Sequence, residues 1–210
     1  MRNRFLTESL ISEKKRKMTA TGDKLQEIKR GFRLMMNGAA SRSMREKGVE
    51  YRLNWGVSLI DLRTTAERYG KDYALSAALW KEDIRECKIL ATLVMPAERM
   101  SADLAEVWME QTTTQEIAEL AAMNLYQYMP DASITAFRWI ASDEDLRQIC
   151  GYHILSRLFM RGCEPTERDA DELRDQAAAA ISSGSLSVRH AAKTCIDRLD
   201  GLISQARQPS

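Results

Sequence analysis

The sequence predicts an all-α fold built from consecutive helical hairpins, and three observations predict it. Apolar residues recur at three- and four-residue spacing along most of the chain. No stretch alternates apolar and polar residues for the length of a strand. Cap and stop residues recur at short intervals, so about ten helices are joined by short turns and often paired in units of roughly 30–40 residues. With 210 residues, 44% of them hydrophobic, the chain can build one core but has little room for two independent domains.

The elements follow in order. Residues 1–21, with Lys14-Lys15-Arg16-Lys17, have little apolar periodicity and read as a basic N-terminal tail or loose helix. From Asp23, one helical face carries Leu25, Ile28, Phe32, Met35 and Met36, and Asn37-Gly38 is read as its stop. Residues 39–47 form a second, short basic helix that Gly48 ends. Residues 51–57 are a loop whose aromatics turn inward. Ser58 with Asp61 opens the next helix and Gly70 closes it. Residues 72–80 and 83–95 are two more helices, and Pro96 marks a break.

Residues 98–111 carry Met100, Leu104, Val107 and Trp108 as a core face. Thr113 with Glu116 reads as a capping box for a helix whose inner face is Ile117, Leu120, Ala121, Asn124, Leu125 and Tyr128, ended by Pro130. Residues 131–141 and 143–160 pair across Ser142, which stands at capping distance from Asp145. Residues 162–165 and 182–185 are turns that frame an Ala-rich acidic helix, and Leu186 to Gln205 is the last helix. The spacing suggests HEAT-type repeats, a right-handed superhelix of helical hairpins over residues 22–206 as a single domain.

Charge is unevenly spread. Residues 1–55 hold 14 Lys or Arg against 6 Asp or Glu, and the remainder holds 17 against 24. That asymmetry reads either as a basic face able to meet a polyanion or as a solvated basic N-terminus. Lys29, Arg30, Arg33, Arg42 and Arg45 are the candidate phosphate contacts. The four cysteines, Cys87, Cys150, Cys163 and Cys195, form no Cys-x-x-Cys pair and read as reduced thiols. The histidines, His153 and His190, have no partner at ligand spacing. No metal and no cofactor is expected. With no apolar run of about 20 residues and no signal-like start, no membrane span is expected and the cytoplasm is the default location.

At this point the chain resembles the AlkD-like DNA alkylation repair proteins, DNA glycosylases built from HEAT-like repeats. Three passages carry the resemblance, over about Leu25 to Leu158. They are Gly56-Val57 with Leu62-Arg63 and Ala66, then Leu79-Trp80 followed by Glu86, Lys88 and Ala91, and last Trp108 with residues 114–125. The resemblance implies a concave basic surface holding duplex DNA. It also implies a carboxylate that stabilises an oxocarbenium-like sugar while an N3- or N7-alkylated purine leaves. The family's Trp-x-x-x-Asp aligns with Gln115 to Glu119, which makes Glu119 the candidate catalytic carboxylate and puts Gln115 where an aromatic is expected. Arg147 is the candidate for the family's backbone-holding arginine, and His190 to Cys195 lacks the family's late Trp.

Each candidate also has a structural reading. Glu119 could equally be a solvated helix residue beside Gln115. Trp80, Glu86 and Trp108 are structural or groove-lining, with Glu86 bonding a neighbouring helix terminus or pairing with Arg85 or Lys88. Two functions follow as expectations. One is a DNA alkylation repair-type protein that binds duplex DNA and excises alkylated purines. The other is a catalytically inactive repeat scaffold for nucleic acid or a protein partner.

Overall fold

The computed structural model describes residues 19–49 and 51–206. The Lys14 to Lys17 cluster of the basic tail lies outside them. Among the described residues there are eleven α-helices and no strand beyond one isolated bridge, Leu53 with Ile84. They form two compact units that meet in sequence at Met95 and Pro96.

The first unit contains five helices. Helix α1 covers 19–34 and buries Ile28 and Phe32, one turn apart. Met35 and Met36, expected on that face, are outside it, with Met36 61% exposed. The helix stops before them because the chain turns into α2 (Gly38–Glu46), which Asn37 opens: its side chain accepts from the Ala40 N–H at 3.0 Å. The residue read as a helix stop is thus the next helix's cap. Helix α3 (Leu59–Tyr69) opens at Ser58 and closes at Gly70, as the sequence predicts. Helix α4 (Tyr73–Trp80) is capped by Asp72, whose carboxylate also takes the Lys24 ammonium at 2.8 Å.

Helix α5 (Arg85–Val94) is the centre of this unit. Eight of its ten residues are buried, among them Arg85 and Glu86, and it packs on α3 and α4. A buried ion pair needs every polar atom satisfied. Glu86 accepts from the backbone N–H groups of Trp55 at 3.2 Å, Gly56 at 3.0 Å and Val57 at 3.3 Å. Arg85 donates to the Val57 carbonyl at 3.1 Å and lies 3.3 Å from Glu86. The pair therefore ties residues 55–57 to α5. Gly56 has φ +73, and a Cβ there would stand 2.2 Å from the Asn37 carbonyl oxygen. Only glycine lets this loop lie on the α1–α2 corner, where Asn37 N–H donates to Trp55 O at 2.8 Å.

The second unit opens with a short 3-10 turn, Ala97–Arg99, and Ser101 caps α6 (Ala102–Glu110). The helix expected over 98–111 is therefore two pieces, and Val107, expected in the core, is 45% exposed. Helix α7 (Gln115–Asn124) is capped by Thr114, which accepts from Ile117 N–H, and not by Thr113. Leu125 breaks it into a 3-10 turn, Tyr126–Tyr128. That break turns Tyr128 outward, against the expected inner face, with the Arg161 guanidinium 4.7 Å from its ring.

Helix α8 (Ala132–Ile140) follows, then α9 (Asp145–Met160), on which α7, α8 and α11 all pack. Glu144 is the residue that precedes α9; Ser142, the expected cap, accepts from Glu144 N–H instead. Gly151 brings α8 close: a Cβ there would be 2.8 Å from Ala136 O and from Ile140 Cγ2. Helices α10 (Glu167–Ser183) and α11 (Leu186–Ala206) pack on each other; α10 buries Ala170, Leu173, Ala177 and Ala180, and α11 buries Val188, Ala191, Ala192, Cys195 and Leu199.

The Arg85–Glu86 arrangement sets a stability prediction for the first unit. Glu86→Ala removes the counter-charge of the buried Arg85 and an acceptor shared by three loop amides, of which Gly56 keeps the Asn54 side chain, so we expect a loss of about 3–5 kcal/mol. Urea unfolding of Glu86→Ala beside Glu86→Gln, which keeps an acceptor, checks it; a loss under about 1 kcal/mol for Ala contradicts the assignment.

Candidate nucleic-acid interface

In the first unit, Arg30 and Arg33 stand three residues apart on α1, and Arg42 and Arg45 three apart on α2, all exposed. Like charges at that spacing repel weakly on a helix, and a bound anion relieves the repulsion. Arg33 is steered by Trp55, whose buried ring lies 6.0 Å from its guanidinium and 6.1 Å from Phe32. Lys29 is placed differently. Its ammonium is half-buried and paired with Glu82 at 2.7 Å, so it braces α1 from below. Trp80 is buried, with the Lys88 ammonium 4.2 Å from its ring. Burial pushes the Lys88 pKa down, with Asp83 acting in the opposite direction. Trp80 and Glu86 are both buried.

In the second unit, Glu119 lies on the outward part of α7 with its side chain 38% exposed. Gln115, one turn earlier, donates to its Oε1 at 2.7 Å. His153 of α9 places Nε2 3.6 Å from the same oxygen. The Gln115–Glu119 register deduced from sequence is thus a contact. The histidine is the partner that sequence reasoning missed, because 34 residues separate the two and no local spacing signals it. Trp108 is buried in the core.

Arg147 is engaged by carboxylates. Its Nη1 donates to Glu106, its Nε lies 3.1 Å from Glu144, and its side chain is only 12% exposed. The other Glu106 oxygen accepts from the Trp139 indole N–H at 2.8 Å. Burial works to raise the Glu106 pKa, but the bonds from Trp139 and Arg147 outweigh it and hold the carboxyl below its usual range. Arg147 is held above its usual range because those same carboxylates outweigh the effect of burial. This network joins α6, α8 and α9. Nothing in the sequence marks Glu106 as its centre, since its partners come from residues 33 and 41 positions away.

Among the described residues, no group of three His, Cys, Asp or Glu is placed to hold a metal ion, and no helix is long and apolar enough to cross a membrane. What remains is a helical-hairpin protein with an exposed arginine face on α1 and α2 and a carboxylate–amide–imidazole cluster on α7 and α9. The family model described as "DNA alkylation repair enzyme" matches residues 28–196, and the chain belongs to that family. Among solved structures, one described as "a new family of proteins related to the HEAT-like repeat DNA glycosylases with affinity for branched DNA structures" shares the fold. The TM-score is 0.76 at 14% identity, over 87% of this chain and 80% of that one. No curated protein matches the chain. The HEAT-like repeat fold deduced from helix spacing is therefore the fold observed.

The Glu106 network has a pH signature. Its lowered pKa means that its contribution to stability is fully present above the ordinary Glu value of about 4.3 and is lost as pH falls through the lower folded value. Glu106→Gln should reduce stability at neutral pH by about 1–3 kcal/mol and lose less on acidification than the parent. Urea unfolding at about pH 7 and about pH 3.5 checks this; equal acid sensitivity in both proteins contradicts it.

Proposed function

We propose that the chain binds DNA through phosphate contacts made by Arg30, Arg33, Arg42 and Arg45, as a member of a repair family whose present chemistry is recognition rather than efficient excision. The observation that carries this reading is the pairing of two exposed arginine steps on α1 and α2, set apart from Lys24 and Lys29 of α1, which Asp72 and Glu82 engage. Guanidinium groups suit phosphate because they donate two parallel N–H bonds and stay charged at every physiological pH. Linear duplex is the primary ligand. The structural relative described as having affinity for branched DNA makes a branched duplex the natural second substrate to compare.

A second reading is excision, and one observation favours it: Glu119 keeps a partly open carboxylate on α7. A cationic alkylpurine leaves without a strong general acid, so a carboxylate near C1′ of the sugar and a positioned water suffice in principle. Gln115, standing where the family offers an aromatic ring, gives the developing cation no π face. Its bond to Glu119 Oε1 also occupies part of the carboxylate. Recognition without efficient cleavage is the reading these two facts favour.

Two measurements separate the alternatives. Duplex affinity should fall steeply with salt, and Arg42→Ala with Arg45→Ala should lower the slope of log K against log salt by about two. Binding indifferent to salt contradicts phosphate recognition and favours a protein-binding scaffold. Release of 7-methylguanine or 3-methyladenine from alkylated DNA, abolished in Glu119→Gln, would establish excision; no release at high protein concentration supports the binder.

A further inference from the structure

Leu34, Met35 and Met36 have no part in either reading. They close α1 and lead into α2, and they stand 88%, 38% and 61% exposed. Three consecutive large apolar side chains thus meet solvent at one corner. That corner is held at several points. Asn37 N–H donates to Trp55 O at 2.8 Å, the Ser41 hydroxyl donates to Asn54 O at 2.9 Å, and Gly56 lies against the Asn37 carbonyl. Cations frame it. Arg30 stands one turn before Leu34 on the same face of α1, Arg33 adjoins Leu34, and Arg42 and Arg45 follow on α2. Residues 28–45 include five Lys or Arg and no Asp or Glu. A second copy of this chain fits such a corner badly, because a two-fold contact would set the same arginines against each other. A polyanion that also offers an apolar surface fits it well. In DNA that surface is the face of a base, covered by its neighbour in continuous duplex and open where the stack is interrupted.

We propose that Leu34 and Met36 form an apolar wedge that enters an interrupted base stack of DNA while the flanking arginines hold the phosphates beside it. The inference rests on the reading that DNA is the ligand, and it adds which DNA is preferred: one with a bulge or a branch. Aliphatic side chains serve this purpose because they fill the gap between bases without needing a hydrogen-bond partner. Methionine adds a flexible, polarizable chain that adapts to an irregular gap. The fixed corner matters too, since a wedge ordered in advance loses little freedom on insertion. Burying two such side chains gains free energy of the same order as parting a stacked step costs. In continuous duplex the two terms offset each other. Where the stack is already open, the cost is absent and the gain remains. The wedge therefore selects for the interruption, whereas the arginines contribute alike to both kinds of DNA.

The test uses the full chain and two labelled DNAs of equal length, a continuous duplex and the same duplex with a central bulge. The parent should bind the bulged DNA about tenfold tighter. Leu34→Ser combined with Met36→Ser should remove that preference, leaving the continuous duplex bound within about twofold of the parent. The slope of log K against log salt should not change in this variant, because no phosphate contact is lost. Leu34→Met combined with Met36→Leu, which keeps apolar volume, should restore the preference to within about twofold. A 2-aminopurine placed beside the bulge should brighten when the parent binds and not when the serine variant does, which a merely structural role would not produce. Thermal melts check that both variants fold, and the Met/Leu exchange carries the test if the serine variant does not. Equal affinity of the parent for both DNAs, or a serine variant that keeps the preference, overturns the wedge and leaves the arginine-face reading standing. A dimer in sedimentation that the serine pair dissociates assigns the corner to a second copy and also overturns the wedge. Absence of binding to either DNA overturns both readings.

Discussion

Three consecutive backbone N–H groups, those of Trp55, Gly56 and Val57, turn into the interior of the first unit outside any helix or strand, and Gly56 also donates to the Asn54 side chain at 2.7 Å. One carboxylate, Glu86, accepts from all three, and its own charge is balanced by Arg85. An unpaired amide or charge at such depth would cost several kcal/mol, so this is a constraint that the neighbouring elements must respect. The loop lies flat enough for Gly56 to touch the Asn37 carbonyl, and Asn37 then begins α2. Val57 is followed at once by the Ser58 cap of α3. That acceptor holds the corner where α2 begins, while α1 is also held by the Lys24–Asp72 and Lys29–Glu82 pairs and by Phe32 against Trp55.

The same unit sorts its cations into two kinds. Lys24, Lys29 and Arg85 face carboxylates and hold elements together. Arg30, Arg42 and Arg45 face solvent, and Arg33 is held beside Trp55. Net charge alone does not make this distinction, yet recognition depends on it, since only the second kind is available to a polyanion. The second unit makes the parallel distinction with carboxylates. Glu106 is consumed by Trp139 and Arg147, whereas Glu119 stays partly open beside a titratable neighbour.

Most helices were legible in the sequence because apolar periodicity and caps are local. Ser58, Asp72, Gly70 and Pro96 mark real boundaries through interactions within four residues or through backbone restriction. The misread points share a cause. Asn37 carries a signal that fits both an end and a beginning, and only the Trp55 contact decides between them. Thr113 and Thr114 are equivalent by composition, and the register is settled by which hydroxyl reaches Ile117. The helix through Asn124 looks continuous to Tyr128, but Leu125 departs from it and Tyr128 finds Arg161 instead of the core. At the site, Gln115 with Glu119 was readable as one helical turn. The His153 contact and the Glu106 network were not, because they join residues more than 30 positions apart.

The Lys29–Glu82 pair has a practical consequence. A charge-swap scan across α1 would treat position 29 as one more basic residue of the helix. Because its ammonium is spoken for by Glu82, reversing it would place two anions face to face beneath the helix. Such a variant would show up as poor yield of folded protein rather than as a weakened ligand isotherm, and the matched swap at position 82 would restore it. The helix thus carries its own internal reference for telling a broken scaffold from a lost contact.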